Sequence, residues 1–375
     1  MTAALSGVRI LDLSRLLPGP YCTQILGDLG AEVIKVEDPA GGDYLRHIPP
    51  LVGDVSASFA AINRGKRSIC LDLKDDADVA RLRGLCARCD ILVESFRPGV
   101  MERLGVGPEV LRAEQPHLIY CRISGYGQEG PDRLRAGHDV NYAARAGVLG
   151  LGPRPSVLPV QVADLVGGAL LPAIQILAAL RRRDLCGEGA TIDAAMIDGA
   201  WAMLAMPLAR HLACAEPLEP GGGLLSGGIP AYNVYPTRDG SLAVGALEPK
   251  FWEPLCDAIE RPDLKACGLA RGEEGARVRG ELRELFRRHT TAEWLERLDP
   301  LDCCVEPLRD PQSAHLEDPA LARRTHVAEV ELHGQRVTLP LLPVQVGEDV
   351  RRRAAPPVLG ADTAALLAEL DEPER

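Results

Sequence analysis

The sequence predicts an α/β protein: a large domain on an open, mostly parallel sheet, then a smaller α+β domain. Three observations predict it. The first third of the chain alternates short apolar, β-branched runs with helical ones. With 375 residues, the chain exceeds the ~250 to 300 at which a single core stops growing. A glycine-rich stretch, LEPGGGLLSGGIP (218–230), separates two regions of different texture.

The elements follow in order. VRILDLS (8–14) reads as a strand, PYCTQILGDLG (20–30) as a helix ended by Gly30, and AEVIKVED (31–38) as a second strand. Such a βαβ unit has parallel strands and a right-handed crossover. The pattern repeats with strand RSICLDLK (67–74), helix DDADVARLRGLCARC (75–89) with an acidic first turn, strand DILVESF (90–96), two short helices and strand HLIYCRIS (117–124). Residues 164–183 read as a long helix opening at Asp164, followed by strand ATIDAAM (190–196) and a helix over 198–212. Beyond the glycines, AYNVYPTRDGSLAVGAL (231–247) is two strands about Asp239-Gly240, a hairpin signal. Helices near 249–259, 272–287 and 291–298 complete the smaller domain, and a hairpin, VAEVELHGQRVTL (327–339), opens the tail. The expected boundaries are 1–217 for the large domain, 218–230 for the linker, 231–325 for the small domain and 326–375 for a tail returning to the large one.

Open parallel sheets bind ligands at the carboxyl ends of their strands. That rule selects the loops RLLPGP (15–20), EDPAGGD (37–43), RPGV (97–100) and GYGQEGP (125–131). Neither a GxGxxG fingerprint nor a P-loop occurs among them. A net charge of −11 argues against nucleic acid, which needs a basic stripe. Basic residues do gather at Lys35, Arg46, Arg64, Lys66, Arg67 and Arg97, a density suited to a small phosphate-bearing ligand. Eleven cysteines without a framework, behind an opening MTAALSGVRI that lacks a signal peptide, predict reduced thiols in a cytoplasm. Cys86 and Cys89 form one CxxC with no second pair, so two thiols on a helix are expected, and no metal site. The strongly apolar uncharged run 165–180 contains Pro172 and falls short of the ~20 residues of a membrane span.

The candidate chemistry lies in His138, Asp139, Asp164 and Glu248, with Arg97 as an orienting charge. Asp164 at a helix start could cap it, leaving first-turn amides to hold an oxyanion; it could equally be an N-cap and nothing more. Glu248 follows a strand and could project from its end or be a solvated surface group. Tyr142, four residues after His138, would share its helix face or pack in the core.

These residues carry a resemblance. LDLSRLLPGPYCTQILGDLGAEVIKVE, NRGKRSICLDLK, VESFRPGV, SGYGQEGP, AGHDVNY, GATIDAAMIDG, DGSLAVGALEPKF and DCCVEP run in order from about residue 7 to 307. Through them the chain resembles the family III CoA-transferase (CaiB/BaiF) superfamily, and within it, through AGHDVNY and VGALEPKF, the α-methylacyl-CoA racemases. The resemblance implies a Rossmann-like large domain and an interlocked homodimer. It implies His138 and Asp164 as two bases on opposite faces of a thioester α-carbon, Glu248 as the partner shaping their protonation, Arg97 as an orienting residue, and Tyr142 and Asp139 as neighbours of His138. Coenzyme A would be part of the substrate rather than a cofactor, its phosphates held by Arg46, Arg64, Lys66 and Arg67 and by the loop of Leu16. The resemblance also implies departures: VLPVQVAD before the aspartate, Val166 after it, and SGGIPAY with Ser226 and Ala231 are unusual for a racemase and are expected in the acyl pocket. A family III CoA-transferase, with Asp164 as nucleophile, is the alternative. A non-catalytic CoA-binding dimer would require the candidate groups to lie apart.

Overall fold

The computed structural model describes residues 3–324, 327–344 and 354–372. Six strands form a parallel sheet: β1 Arg9–Leu13, β2 Glu32–Glu37, β3 Arg67–Cys70, β4 Ile91–Glu94, β5 Ile119–Ser124 and β6 Ala190–Ala195. Their spatial order is β3-β2-β1-β4-β5-β6, so the direction of winding reverses between β1 and β4. β4 and β5 are buried along their whole length and β1 nearly so, because helices cover both faces and no strand side chain can face water.

The helix Pro18–Asp28 begins two residues before the expected Pro20, with prolines in its first turn whose missing N–H groups cost nothing there. Asp75 caps the helix Asp76–Cys86 by accepting from Ala77 and Asp78. One face of the sheet packs Ile10, Ile91, Ile119, Leu26 and Ile176; the other packs Leu11, Leu92, Tyr120, Leu82 and Leu366. Cys86 and Cys89 are free thiols buried in that second layer, the latter just beyond the helix end.

The long helix read over 164–183 forms, and Pro172 does not interrupt it; what is corrected is the expectation that the 165–180 run falls short of a membrane span in length. A π-helix Ala163–Leu170 continues into the α-helix Leu171–Cys186, with Pro172 in the latter's first turn. The 24 residues Ala163–Cys186 are long and apolar enough, by length and composition, to cross a membrane. Here Ala169, Ala173, Ile176, Ala179 and Leu180 lie in the core against the sheet.

The chain divides into two compact units, Met1–Ala146 with Leu158–Ala202 and Arg323–Arg375, and Gly147–Val157 with Met203–Ala322. The division at Ala202/Met203 differs from the expected one at 218–230. The predicted helix over 198–212 is two helices, Met196–Ala202 and Ala205–Cys214, and they fall in different units. Glycine content marks a turn-rich stretch, but the separation of contacts falls at the break between those helices. The second unit holds an antiparallel sheet of Tyr232–Pro236, Ser241–Gly245 and Val305–Pro307. Helices Pro249–Ala258, Gly272–Phe286 and Thr291–Leu298 complete it around Tyr235, Trp252, Phe286 and Trp294. The hairpin Val327–Leu332/Gln335–Pro340 forms as read, and the residues after 354 dock on β3 of the first unit.

Candidate active site

A crevice of about 660 Å³ opens where the winding reverses, at the carboxyl ends of the strands. Arg15 and Leu16 follow β1 into its wall, Arg97 follows β4, and His138, Tyr142 and Asp164 complete it. Five residues singled out from sequence, Leu16, Arg97, His138, Tyr142 and Asp164, therefore share one cavity.

Asp164 sits in the first turn of the π-helix, partly buried. Burial pushes its carboxyl up to about 6, the like charge of Asp139 adds to the rise, and His138 opposes it. The residue that caps this helix is Asp139, not Asp164. Its Oδ1 accepts from the amides of Ala163 at 2.7 Å and Asp164 at 3.1 Å. The Leu165 amide donates to the Gln161 carbonyl. The expectation that Asp164 caps while first-turn amides await an oxyanion is thus corrected: those three amides are already engaged. Asp139 is not among the residues lining the crevice; its charge raises the pKa of Asp164 while its side chain fixes the Asp164 backbone.

His138 is exposed and precedes the helix Asp139–Ala146. Its carbonyl accepts from Asn141 and Tyr142, and its own N–H donates to Asn141 Oδ1 at 3.0 Å. This reciprocal cap fixes the backbone, so the imidazole is spared capping duty. Tyr142 is buried; its hydroxyl donates to the Gly137 carbonyl at 2.7 Å and its ring meets Tyr126 edge-on at 5.1 Å. A Cβ on Gly125 or Gly137 would come within 2.6 or 2.7 Å of that ring, so the two glycines clamp it. Burial lifts the phenol to about 12, which suits a group that holds the His138 turn rather than one that ionises.

Glu248 belongs to the second unit, exposed at the N-cap of Pro249–Ala258, where its side chain makes no capping bond. Of the departures from the racemase pattern, Ala231 is buried in the second unit's core, and Val166 is not among the residues lining the crevice. Ser226 borders a separate apolar cavity of the second unit with Met203, Met206 and Leu225.

The basic cluster is corrected more sharply. Arg46 pairs with Glu37 at 2.6 Å, Arg64 with Asp28 at 3.2 Å, and Lys66 with Asp12 at 3.1 Å, all buried. Lys66 also donates to Thr23, Asn63 and the Pro20 carbonyl, and burial brings its pKa down to about 8. Arg67 is held by Glu32 and by Glu369 from the tail. Cations neutralised inside the fold are not presented to a phosphate. Those lining the crevice, besides Arg97, are Arg15, Arg133 and Arg135, which the sequence reading missed. The loop RLLPGP marked Arg15, and proximity to GHDVNY could have marked the other two. Among the described residues, no group of three or more His, Cys, Asp or Glu is placed to hold a metal ion.

A family model described as CoA-transferase family III matches residues 5–363. The chain is 39% identical to human alpha-methylacyl-CoA racemase over 310 residues, 81% of this chain and 78% of that protein. It is 38% identical to mouse succinyl-CoA:glutarate CoA-transferase over 78% of this chain and 69% of that one. A crystal structure of a CAIB/BAIF family protein from Brucella suis superposes with a TM-score of 0.84 at 29% identity, covering 99% of this chain and all of that one. With its six-stranded sheet, its reversal-point crevice and its sequence matched nearly end to end, the chain belongs to CoA-transferase family III, an enzyme of the transferase/racemase type.

Proposed function

We propose that the enzyme inverts the α-carbon of a 2-methylacyl-CoA thioester. One observation carries the reading: His138 and Asp164 line the same crevice, with the Asp164 carboxyl pushed up to about 6. Inversion needs one group to remove the weakly acidic α-proton and another, on the opposite face, to return one to the enolate. A carboxyl near 6 both accepts and returns a proton near neutrality, and each positioned acid–base group contributes ~10²- to 10⁴-fold in rate. Arg97 would orient the thioester, and Tyr142 would act through the backbone of the His138 turn. Glu248, in this reading, reaches the pair from a second copy of the chain in an interlocked dimer. Coenzyme A is the handle of the substrate, and the step requires no further cofactor.

The second reading is a CoA-transferase, in which ionised Asp164 attacks the thioester carbonyl, expels CoA thiolate and forms an acyl-aspartyl anhydride. The 38% identical glutarate CoA-transferase supports it. Incubating the enzyme with one epimer of a 2-methylacyl-CoA in D₂O separates the two. The racemase reading expects deuterium at the α-position with loss of configuration. Retained configuration without exchange, while CoA passes to an added acid, would overturn it in favour of the transferase.

A further inference from the structure

The backbone on both sides of Arg15 is held by hydrogen bonds, yet among the described residues its charge meets no counter-ion. It lies on the loop after β1, half-buried, in the wall of the crevice that holds Asp164 and His138. It also lines a second cavity of about 200 Å³, bordered by Glu37 and Asp38 at the end of β2, Leu71, Asp72 and Lys74 after β3, and Phe96 after β4. Arg15 and Phe96 are common to both walls.

The backbone around Arg15 is anchored from three directions. The fully buried Lys35 donates to the Ser14 carbonyl at 2.9 Å and pairs with Asp43 at 3.0 Å. Both Asp43 oxygens accept the Leu16 amide, at 3.1 and 3.2 Å, and the Arg15 amide donates to Ser95 Oγ at 3.2 Å. Leu16 is held at φ +61°, a left-handed conformation that costs a non-glycine residue about 1 kcal/mol or more. The buried pair of Lys35 and Asp43 therefore keeps a strained loop in one conformation.

The side chain is shaped as well. Its guanidinium lies 5.2 Å from the Phe96 ring and 5.7 Å from that of Tyr44. Among the described residues no carboxylate pairs with it. Lys35, Arg46, Arg64, Lys66 and Arg67, by contrast, each have one within 3.2 Å. A planar cation held near two rings in the wall of the crevice, with no carboxylate paired to it among the described residues, is preorganised for an anion supplied by a ligand on the crevice side.

We infer that Arg15 recognises an anionic group of the thioester substrate on the crevice side. Two parts of an acyl-CoA could bring that charge, the phosphates of CoA or a second carboxylate on the acyl group. The inference rests on the acyl-CoA reading, and it is tested by binding so that it can fail separately. Dissociation constants are measured for wild type and Arg15→Met with two ligand pairs: CoA against pantetheine, and succinyl-pantetheine against butyryl-pantetheine. Wild type should prefer the more anionic member of one pair by about 10-fold or more, and Arg15→Met should erase that preference. Loss in the first pair assigns a phosphate of CoA, loss in the second the carboxylate. Tyr44→Leu, at an exposed ring, should weaken the same preference by a smaller factor.

A preference unchanged in Arg15→Met, or none in wild type for either pair, overturns the inference. No binding of any of the four overturns it together with the acyl-CoA reading. If CoA binds and Arg15 discriminates but no thioester is turned over, the catalytic reading alone falls.

Discussion

Asp164 and His138 give the most direct tests. The folded chain holds the Asp164 carboxyl near 6, above its ordinary 3.8. The native state is therefore favoured while Asp164 is protonated and loses that advantage as pH rises from about 4 through about 6. Asp164→Asn should abolish activity yet stabilise the protein at pH 7.5, by up to about 3 kcal/mol. Thermal melts of both proteins across pH should converge below pH 4; equal melting at pH 7.5 would mean the carboxyl is not perturbed. Asp139→Asn keeps an acceptor for the two capped amides but removes the like charge, so the acid limb of the rate–pH profile should move to lower pH. For His138→Ala, α-proton exchange should fall ~10²-fold or more from one epimer and much less from the other. Equal, unimpaired exchange from both would reject two-base inversion.

Sequence reading reached these two residues through their motifs, while their supports come from contacts it could not see. Asp139 caps a helix that starts 24 positions later, and no local pattern announces that bond. Arg46, Arg64, Lys66 and Arg67 were expected to hold phosphates because sequence displays charge and hides counter-charge. Their partners Glu37, Asp28, Asp12 and Glu32 read simply as acidic residues of an acidic protein.

Among elements, the π-helix carrying Asp164 crosses the helix Met196–Ala202 at a point where both present glycine. A Cβ on Gly199 would lie 2.2 Å from backbone atoms of Gly167, and one on Gly167 would lie 2.5 Å from the Met196 carbonyl oxygen. The backbones touch there, so the helix that follows β6 sets the depth of the Asp164 carboxyl. Gly199→Ala should destabilise by about 1–3 kcal/mol and lower kcat, as followed by denaturant titration and turnover. Unchanged stability would show that the crossing can spread freely. The βαβ alternation of residues 8–124 made the main strands legible, because their apolar runs are bounded by turn residues. The crossing was not legible: Gly167 and Gly199 are ordinary glycines until the two helices are brought together.

For the whole molecule, the first unit is assembled from three separated stretches of chain. Its outer strand β3 would present an open edge, but the last stretch covers it. Asp362 and Thr363 side chains accept the amides of Ser68 and Cys70, and Leu366 is fully buried in the layer beneath. Leu366→Ala should cost about 2–5 kcal/mol in global unfolding, a loss absent if the tail is mere decoration. The sequence reading foresaw the tail's return, though not what it closes.

That closure has a consequence for biogenesis. Synthesis runs from the amino end, so β3 leaves the ribosome almost three hundred residues before the segment that will cover it. Until then the nascent protein shows an uncapped strand edge, a template for pairing with neighbouring chains. A message broken near its end would yield a product that keeps every crevice residue discussed here yet is prone to aggregate.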